Sequence, residues 1–263
     1  MSIFSITRPV IGVIHLPPLP GAPRKGVSIE RLVYGAVSDA KALLKGGAKG
    51  VIIENLGDAP FSKGSVEPHV VACMSVVAEA VKREVGDSLI VGINVLRNDA
   101  RSALGIAAAV GASFIRVNVY VGAMVTDQGL IEGDARGTLL YRNRVCPGVG
   151  IAADILVKHA SPLGEANLIQ NGKDAHLRGG ASALIITGCA TGAEASVDEI
   201  KALSAAVPTA RVWVGSGVTP DNAKNYAPHV AGAIVGSVLH ENGDLEAPLD
   251  VERVRAVVEA MTI

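Results

Sequence analysis

The chain of 263 residues carries a formal net charge of −1 at pH 7, and 49% of its residues are hydrophobic. This length and composition suffice for a large buried core, in one large α/β domain or in two ordinary domains. The basic residues are scattered among acidic ones, so we expect no nucleic-acid partner, because such a partner requires a basic patch that displaces counterions.

The cysteines and the N-terminal segment bear on the cellular compartment. Cys73, Cys146 and Cys189 lack the short spacings of a disulfide framework or a zinc ribbon. The first apolar run is short, is interrupted by Arg8 and Pro9, and has no cleavage site. No run of about twenty apolar residues follows that could span a bilayer. We therefore expect a cytoplasmic protein without a transmembrane segment.

Short apolar runs recur along the chain and alternate with segments of helical spacing. The runs occupy residues 10–15, 50–55, 89–95, 113–119, 149–155, 183–188, 211–217 and 231–237. Two intervening segments, 28–47 and 67–86, end in glycine, as helices commonly do. Apolar strands that alternate with helices predict a parallel sheet covered on both faces. Eight such units without a clear linker predict a single (β/α)8 TIM barrel over residues 1–263, with a doubly wound open sheet as the alternative.

Polar residues stand near the carboxyl ends of six of these runs. They are His15, Glu54, Asn94, Arg116, Asn118, Asp154 and Thr187. Side chains alternate along a strand, so Arg116 and Asn118 share one face. If that face is the barrel interior, the polar side chains converge at the mouth, where barrel active sites lie. A single polar strand end is ordinarily a loop residue that meets solvent, but six in register predict a pocket.

Two glycine-serine stretches follow the last two apolar runs. Gly215-Ser216-Gly217 ends the seventh run, and Gly236-Ser237 ends the eighth. In barrels of this kind, the loops after the seventh and eighth strands often hold a phosphate through backbone N–H groups and a helix N-terminus. The two stretches therefore predict a phosphate site, with two ordinary tight turns as the alternative.

Six motifs spread over nearly the whole chain carry a resemblance to a known family. They are VIHLPPLPGAP (13–23), ENLGDAPF (54–61), GINVLRNDA (92–100), FIRVNVYVGAMVTDQGLIEG (114–133), DILVKHASPLG (154–164) and VGSGVTPDN (214–222). Together they resemble the BtpA family, also called BtpA/SgcQ. The resemblance implies a ribulose-phosphate-binding type of (β/α)8 barrel. The cyanobacterial namesake is needed for photosystem I to accumulate, while relatives occur in organisms without photosynthesis, and no agreed reaction comes with the family name.

Several residues of these motifs suit catalysis. Lys158 could form a Schiff base with a carbonyl substrate, or it could anchor a phosphate or a carboxylate. Glu54 and Asp154 could share acid–base work, or one of them could neutralise Arg116. The alanines that precede Asp154 depart from the bulkier residue expected in the family, which bears on the size of the pocket.

A divalent metal is the one cofactor that the sequence leaves open. Its candidate ligands are Glu54, Asp154, His15 and His159. They have no metal-ligand spacing in the sequence, so no cofactor is predicted. The other histidines lie in predicted helices or loops and are expected on the surface: His69, His176, His229 and His240. Cys189 is interpreted as a small spacer rather than a nucleophile.

Residues 117–137 form the longest predicted loop, which is rich in glycine and has Thr126-Asp127-Gln128 at its centre. A long loop at the carboxyl end of a barrel predicts a lid that excludes water, with Gly122 and Gly129 as hinges. The alternative is a simple solvent-exposed connection.

These features together predict an enzyme, a lyase or isomerase, that acts on a small phosphorylated metabolite such as a sugar phosphate. The candidate catalytic residues are Glu54, Asp154, Lys158 and Arg116. The candidate substrate-binding residues are His15, Asn94, Asn118, Thr187 and His159. The alternative is a non-catalytic assembly or stability factor of the photosystem I biogenesis type, which acts through a partner protein. An intact polar mouth favours the enzyme, and a large exposed apolar patch beside an emptied mouth favours the partner. A homo-oligomer is compatible with both.

Overall fold

A closed barrel of eight parallel strands forms the centre of the computed structural model, which describes residues 2–188 and 192–262. The barrel strands are β1 (Val10–His15), β2 (Gly50–Glu54), β3 (Ile90–Asn94), β4 (Phe114–Val117), β7 (Gly150–Ile155), β9 (Ala183–Ile186), β10 (Val212–Val214) and β11 (Gly232–Val235). Their order around the barrel is β1-β11-β10-β9-β7-β4-β3-β2. Each predicted run supplies one barrel strand, which confirms the (β/α)8 prediction and rules out the open sheet. Cys189 lies outside the described residues.

Helices follow the strands along the outside of the barrel. They are α1 (Ile29–Lys45), α2 (Pro68–Val85), α3 (Ala100–Val110), α4 (Ala135–Val145), α5 (Leu168–Lys173), α6 (Val197–Ala206), α7 (Ala223–Tyr226) and α8 (Val251–Thr262). The two helices predicted from sequence are α1 and α2. Ser28 caps α1 by accepting a backbone N–H bond, and Gly86 ends α2 with a φ of 55°. In the described part of the chain, no helix combines the length and the apolar character needed to cross a membrane.

The interior of the barrel is filled by side chains. Its buried layer includes Ile11, Val13, Ile52, Phe114, Ala152, Ile185, Trp213 and Ile234. Phe114 fills the space beside Gly92, where a Cβ atom would lie 2.3 Å from the Phe114 ring. Phe4, which precedes β1, stacks on Trp213 with the ring centroids 5.2 Å apart. This layer is therefore a packed floor, and the polar strand ends lie above it.

The segment 117–137, predicted as a loop, contains a β-hairpin. Strand β5 (Ala123–Thr126) pairs with β6 (Gly129–Glu132), and β8 (Ala160–Pro162), from the loop after β7, pairs with the other edge of β5. The prediction that this segment is a loop throughout is therefore wrong. The loops that follow β4 and β7 are joined into one small antiparallel sheet.

Buried apolar side chains hold this small sheet down. Met124 and Ile131 point inward and pack with Val119 and Val157, which is the period-2 alternation of a half-buried strand. Gly129 has a φ of 92° and lies at the hairpin turn, and its role as a hinge stays a prediction. That the sheet acts as a lid stays a prediction.

Polar side chains brace the loops around the mouth. Asp58 accepts a backbone hydrogen bond from the loop after β1 at 2.9 Å, and Asn55 accepts one from the loop after β3 at 2.8 Å. Asn98 forms two hydrogen bonds with the backbone of Val119, of 2.9 and 2.8 Å, which tie the loops after β3 and β4 together. Loops braced in this way hold the side chains at the mouth in fixed positions.

Candidate active site

A buried ion pair lies at the centre of the mouth. Arg116 and Asp154 are 5% and 3% exposed. The Arg116 atoms Nε and Nη2 donate to Asp154 Oδ1 at 3.3 and 3.1 Å, and Nη1 lies 3.9 Å from Oε2 of Glu54. Burial disfavours the guanidinium charge, but the carboxylates of Asp154 and Glu54 outweigh it and raise the pKa of Arg116. The predicted pairing of Arg116 with a carboxylate is present, and Asp154 is the main partner.

Asp154 is engaged by protein groups on both oxygens. Its side chain has no exposed surface, and besides the bonds from Arg116 it accepts one from Asn118 Nδ2 at 2.7 Å. It does not line the cavity of the mouth. This arrangement favours the interpretation of Asp154 as a counter-ion over its interpretation as an acid–base group.

Glu54 has one oxygen held and one available. Asn94 Nδ2 donates to Oε2 at 2.5 Å, and Arg116 approaches the same oxygen. Oε1 accepts no hydrogen bond from any residue that the structure describes, and the side chain lines the cavity. Of the two candidate carboxylates, Glu54 is therefore the one that can contact a ligand.

Two further cations lie at the mouth beside Arg116. Lys158 lines the cavity, and within the described ranges its ammonium has no acceptor or carboxylate partner. Burial lowers the pKa of Lys158, and the neighbouring charge of Arg116 lowers it further. Arg97, which is 5% exposed, donates from Nη2 to the backbone oxygen of Lys158 at 2.8 Å. Arg97 was missed from the sequence because it lies three residues beyond the end of β3, although it belongs to the GINVLRNDA motif.

His15 stacks against a second imidazole. The rings of His15 and His240 are 6.0 Å apart and 28° from parallel. Burial lowers the pKa of His15 to about 4, so the ring is neutral at pH 7. The expectation that His240 lies on the surface is wrong, because it is 2% exposed and its Nδ1 atom lies 2.6 Å from the carbonyl oxygen of Ala247. This bond assigns the proton to Nδ1 of His240.

The glycines of the Gly215-Ser216-Gly217 stretch allow close contact with neighbouring protein atoms. A Cβ atom on Gly217, whose φ is 70°, would lie 2.5 Å from the carbonyl oxygen of Ala193, and one on Gly215 would lie 2.4 Å from the side chain of Ile185. The Ser216 hydroxyl accepts a bond from the backbone N–H of Gly188 and donates to Ala193. Ser216 and Gly217 therefore fit the loop after β10 against the loop after β9, and Gly215 packs against strand β9 itself.

The same loops present backbone donors to the cavity. In the described part of the chain, the N–H groups of Gly217, Gly236 and Ser237 have no acceptor, and all three residues line a cavity of about 170 Å³. The helix α7 has four residues, and the 3-10 turn Ser237–Leu239 has three. The binding of an anion here would thus depend on individual N–H groups, and the contribution predicted from a helix N-terminus is small.

The predicted site residues divide into two sets. Those that line the cavity are His15, Glu54, Arg116, Lys158, Gly215, Ser216, Gly217, Gly236 and Ser237. Those that do not are Asn94, Asn118, Asp154, Thr187 and His159. Asn94 and Asn118 donate hydrogen bonds to Glu54 and Asp154. Thr187 is buried, and its hydroxyl bonds to no residue that the structure describes, whereas His159 is exposed. Among the described residues, no group of three His, Cys, Asp or Glu side chains could hold a metal ion.

We predict that Arg116→Met lowers the free energy of unfolding by about 3–5 kcal/mol, because it leaves the Asp154 carboxylate buried and unpaired. Urea denaturation would measure the loss, with Arg211→Met, at an exposed position, as the matched control. A loss below about 1 kcal/mol, the usual value of an exposed ion pair, would contradict the buried pair.

We predict that His15 makes the free energy of unfolding decrease as the pH is lowered from 6.5, the pKa of the unfolded chain, to about 4, the pKa of the folded protein. In that range the unfolded chain binds a proton that the folded protein does not, so acid favours unfolding, by up to about 3 kcal/mol below pH 4. The His15→Asn variant should lose this part of the pH dependence in urea titrations, whereas His69→Asn, at an exposed position, should keep it. Identical profiles for His15→Asn and the parent protein would contradict the depressed pKa.

Comparison with known proteins places the chain in a family. The model of the BtpA family matches residues 6–263. The chain is 45% identical over 258 residues to the photosystem I biogenesis protein BtpA of a Synechocystis strain, in an alignment that covers 98% of this chain and 89% of that protein. It is also 43% identical to an uncharacterised protein of Pyrococcus furiosus, over 95% of this chain and 94% of that one. A solved structure of KGPDC from Streptococcus mutans covers 98% of each chain with a TM-score of 0.61, at 14% identity, and so shares the fold. The chain belongs to the BtpA family.

Proposed function

We propose that this BtpA-family barrel is an enzyme, a lyase or isomerase, that acts on a small phosphorylated metabolite such as a sugar phosphate. One observation carries the proposal: the Glu54 carboxylate, with Oε1 available, lines the same cavity as the available N–H groups of Gly217, Gly236 and Ser237. A mouth that combines a carboxylate, cations and oriented backbone donors is the intact polar mouth expected of an enzyme.

The phosphate would bind to the backbone N–H groups of the loops after β10 and β11. Oriented N–H groups stabilise an anion without adding a charge of their own. With the phosphate held there, the carbon chain of the ligand would extend across a mouth whose lining includes Glu54, Arg116 and Lys158. Binding at one end would therefore position the reacting carbon at the other.

Glu54 would act as the general acid–base group. Its Oε2 atom is held by Asn94, so Oε1 can take a proton from a carbon or a hydroxyl next to a carbonyl. The guanidinium of Arg116 and the ammonium of Lys158 would stabilise the negative charge that develops on the carbonyl oxygen. Asp154 would keep Arg116 charged and in place, without a proton-transfer role of its own.

We predict that a sugar phosphate at about 100 times its dissociation constant stabilises the protein by about 2.7 kcal/mol and raises the melting temperature by several degrees. Ser237→Asp should fold but lose this rise, because it puts a carboxylate where the phosphate binds, whereas Ser237→Ala should keep most of it. Ser237 suits the test because its hydroxyl bonds to no described residue. A substitution at Gly217 would collide with Ala193 and disturb the fold instead.

Thermal-shift measurements check this phosphate prediction. Ser88→Asp, on an exposed turn, adds the same charge away from the mouth and should respond to sugar phosphates as the parent protein does. If Ser237→Asp also keeps the full rise, or if only unphosphorylated ligands raise the melting temperature of the parent protein, the phosphate site is wrong.

We predict that Glu54→Gln lowers kcat by about 10²–10⁴-fold, as expected for removal of a general base, while the thermal shift with a sugar phosphate persists. Glu79→Gln, on the outer face of α2, is the matched control and should leave kcat unchanged. Turnover by Glu54→Gln at the rate of the parent protein would remove Glu54 from the mechanism.

A second candidate function, an assembly or stability factor that acts through a partner protein, is favoured by the 45% identity to the Synechocystis photosystem I biogenesis protein. Exposed Tyr34 and Val76 on α1 and α2 offer a small apolar surface for such a partner. Expression in a Synechocystis strain that lacks its own relative separates the two functions. If the protein is an assembly factor, the Glu54→Gln variant would restore photosystem I and the Tyr34→Asp variant would not. If it is an enzyme, the Tyr34→Asp variant would restore photosystem I and the Glu54→Gln variant would not.

A further inference from the structure

The mouth of the barrel holds more positive than negative charge. Three cations, Arg97, Arg116 and Lys158, face two buried carboxylates, Glu54 and Asp154, while a third carboxylate near Arg97, that of Asp127, is exposed to solvent. Arg116 is paired with both carboxylates, more closely with Asp154. One positive charge therefore remains without a buried counter-ion among the described residues at the mouth, and a buried charge that lacks one is costly unless a ligand neutralises it.

Of the two cations that form no ion pair with Glu54 or Asp154, which are Arg97 and Lys158, Arg97 is the more deeply buried. It is 5% exposed, and its one hydrogen bond to the described chain runs from Nη2 to the backbone oxygen of Lys158. A guanidinium has five N–H donors, so most of those of Arg97 stay available. Burial lowers the pKa of Arg97, the charge of Arg116 lowers it further, and the carboxylates of Asp154, Glu54 and Asp127 raise it. Arg97 does not itself line the cavity, and its hydrogen bond to the backbone of Lys158, which does, places it beside the mouth.

Lys158 and Arg97 form a pair. The hydrogen bond from Arg97 fixes the backbone of Lys158, whose ammonium lines the cavity without a protein partner in the described ranges. The pair lies on the loops after β3 and β7. In the strand order of the barrel, β3 stands four strands from β10, which is the far side of the ring. Arg97 therefore lies on the loop across the mouth from the loop after β10, while Lys158, on the loop after β7, lies two strands from β10.

We propose that the substrate is a phosphorylated carboxylic acid, with its phosphate on the N–H groups of the loops after β10 and β11 and its carboxylate on Arg97 and Lys158. The inference rests on the proposed function, since it names the class of the phosphorylated metabolite. A carboxylate matches the surplus of one positive charge, whereas a second phosphate would bring nearly two negative charges. The planar fork of a guanidinium also fits the two oxygens of a carboxylate.

Calorimetric titration with matched ligands tests the proposal. The pairs are 3-phosphoglycerate with glycerol 3-phosphate, and 6-phosphogluconate with sorbitol 6-phosphate; the members of each pair have the same phosphate and chain length but differ in the carboxylate. We predict that the parent protein binds the acid of at least one pair about tenfold or more tightly than the alcohol, as for charge-assisted hydrogen bonds. In Arg97→Met and Lys158→Met this ratio should fall to about one, with little change in the binding of the alcohol.

Control variants and a third ligand make the outcomes separable. Arg31→Met and Lys224→Met, both at exposed positions, should keep the ratio of the parent protein. Propane-1,3-diol bisphosphate should bind less tightly than 3-phosphoglycerate, and the reverse order would overturn the assignment to a carboxylate. Equal binding of acid and alcohol to the parent protein would overturn the inference and leave the phosphate site standing. If no phosphorylated ligand binds, the proposed function itself fails.

Discussion

The ion pair between Arg116 and Asp154 is the constraint on which the mouth of the barrel depends. Arg116 lies on β4 and Asp154 on the neighbouring β7, directly above the packed apolar floor. Neither charge is tolerable there alone, because a buried charge without a partner costs several kcal/mol. Asp154 holds the guanidinium in one orientation, with Nη1 towards Glu54. Asp154 supplies the main counter-charge, and Oε1 of Glu54 bonds to no described residue.

This division of charge separates the mouth into two sides. The loops after β10 and β11 offer uncharged N–H donors, and the loops after β3 and β7 offer the cations Arg97 and Lys158. Glu54 and the neutral His15 line the cavity as well. A ligand that spans the mouth would contact backbone N–H donors at one end and positively charged side chains at the other.

The eight strands and the converging strand ends could be predicted because each depends on a local pattern, an apolar run followed by one polar residue. Features that depend on contacts between distant loops could not be predicted from the sequence. Arg97 lies beyond its strand, and His240 is buried only because the chain returns to stack it on His15. The two strands of the hairpin in residues 117–137 have four residues each. Their alternation of apolar and polar side chains is too short to outweigh the glycines, which indicate a loop. The sequence assigns the glycines after β10 to a phosphate site, and the structure adds close contacts with protein atoms of β9 and of the loop after it.

A crystal structure of the protein with a bound sugar phosphate or sugar-acid phosphate would show where the phosphate lies. We expect density for the phosphate within hydrogen-bonding distance of the N–H groups of Gly217, Gly236 and Ser237. We also expect the carbon chain to run from there to Oε1 of Glu54. A phosphate bound elsewhere on the barrel, or a ligand whose carbon chain does not reach Glu54, would contradict the proposed site.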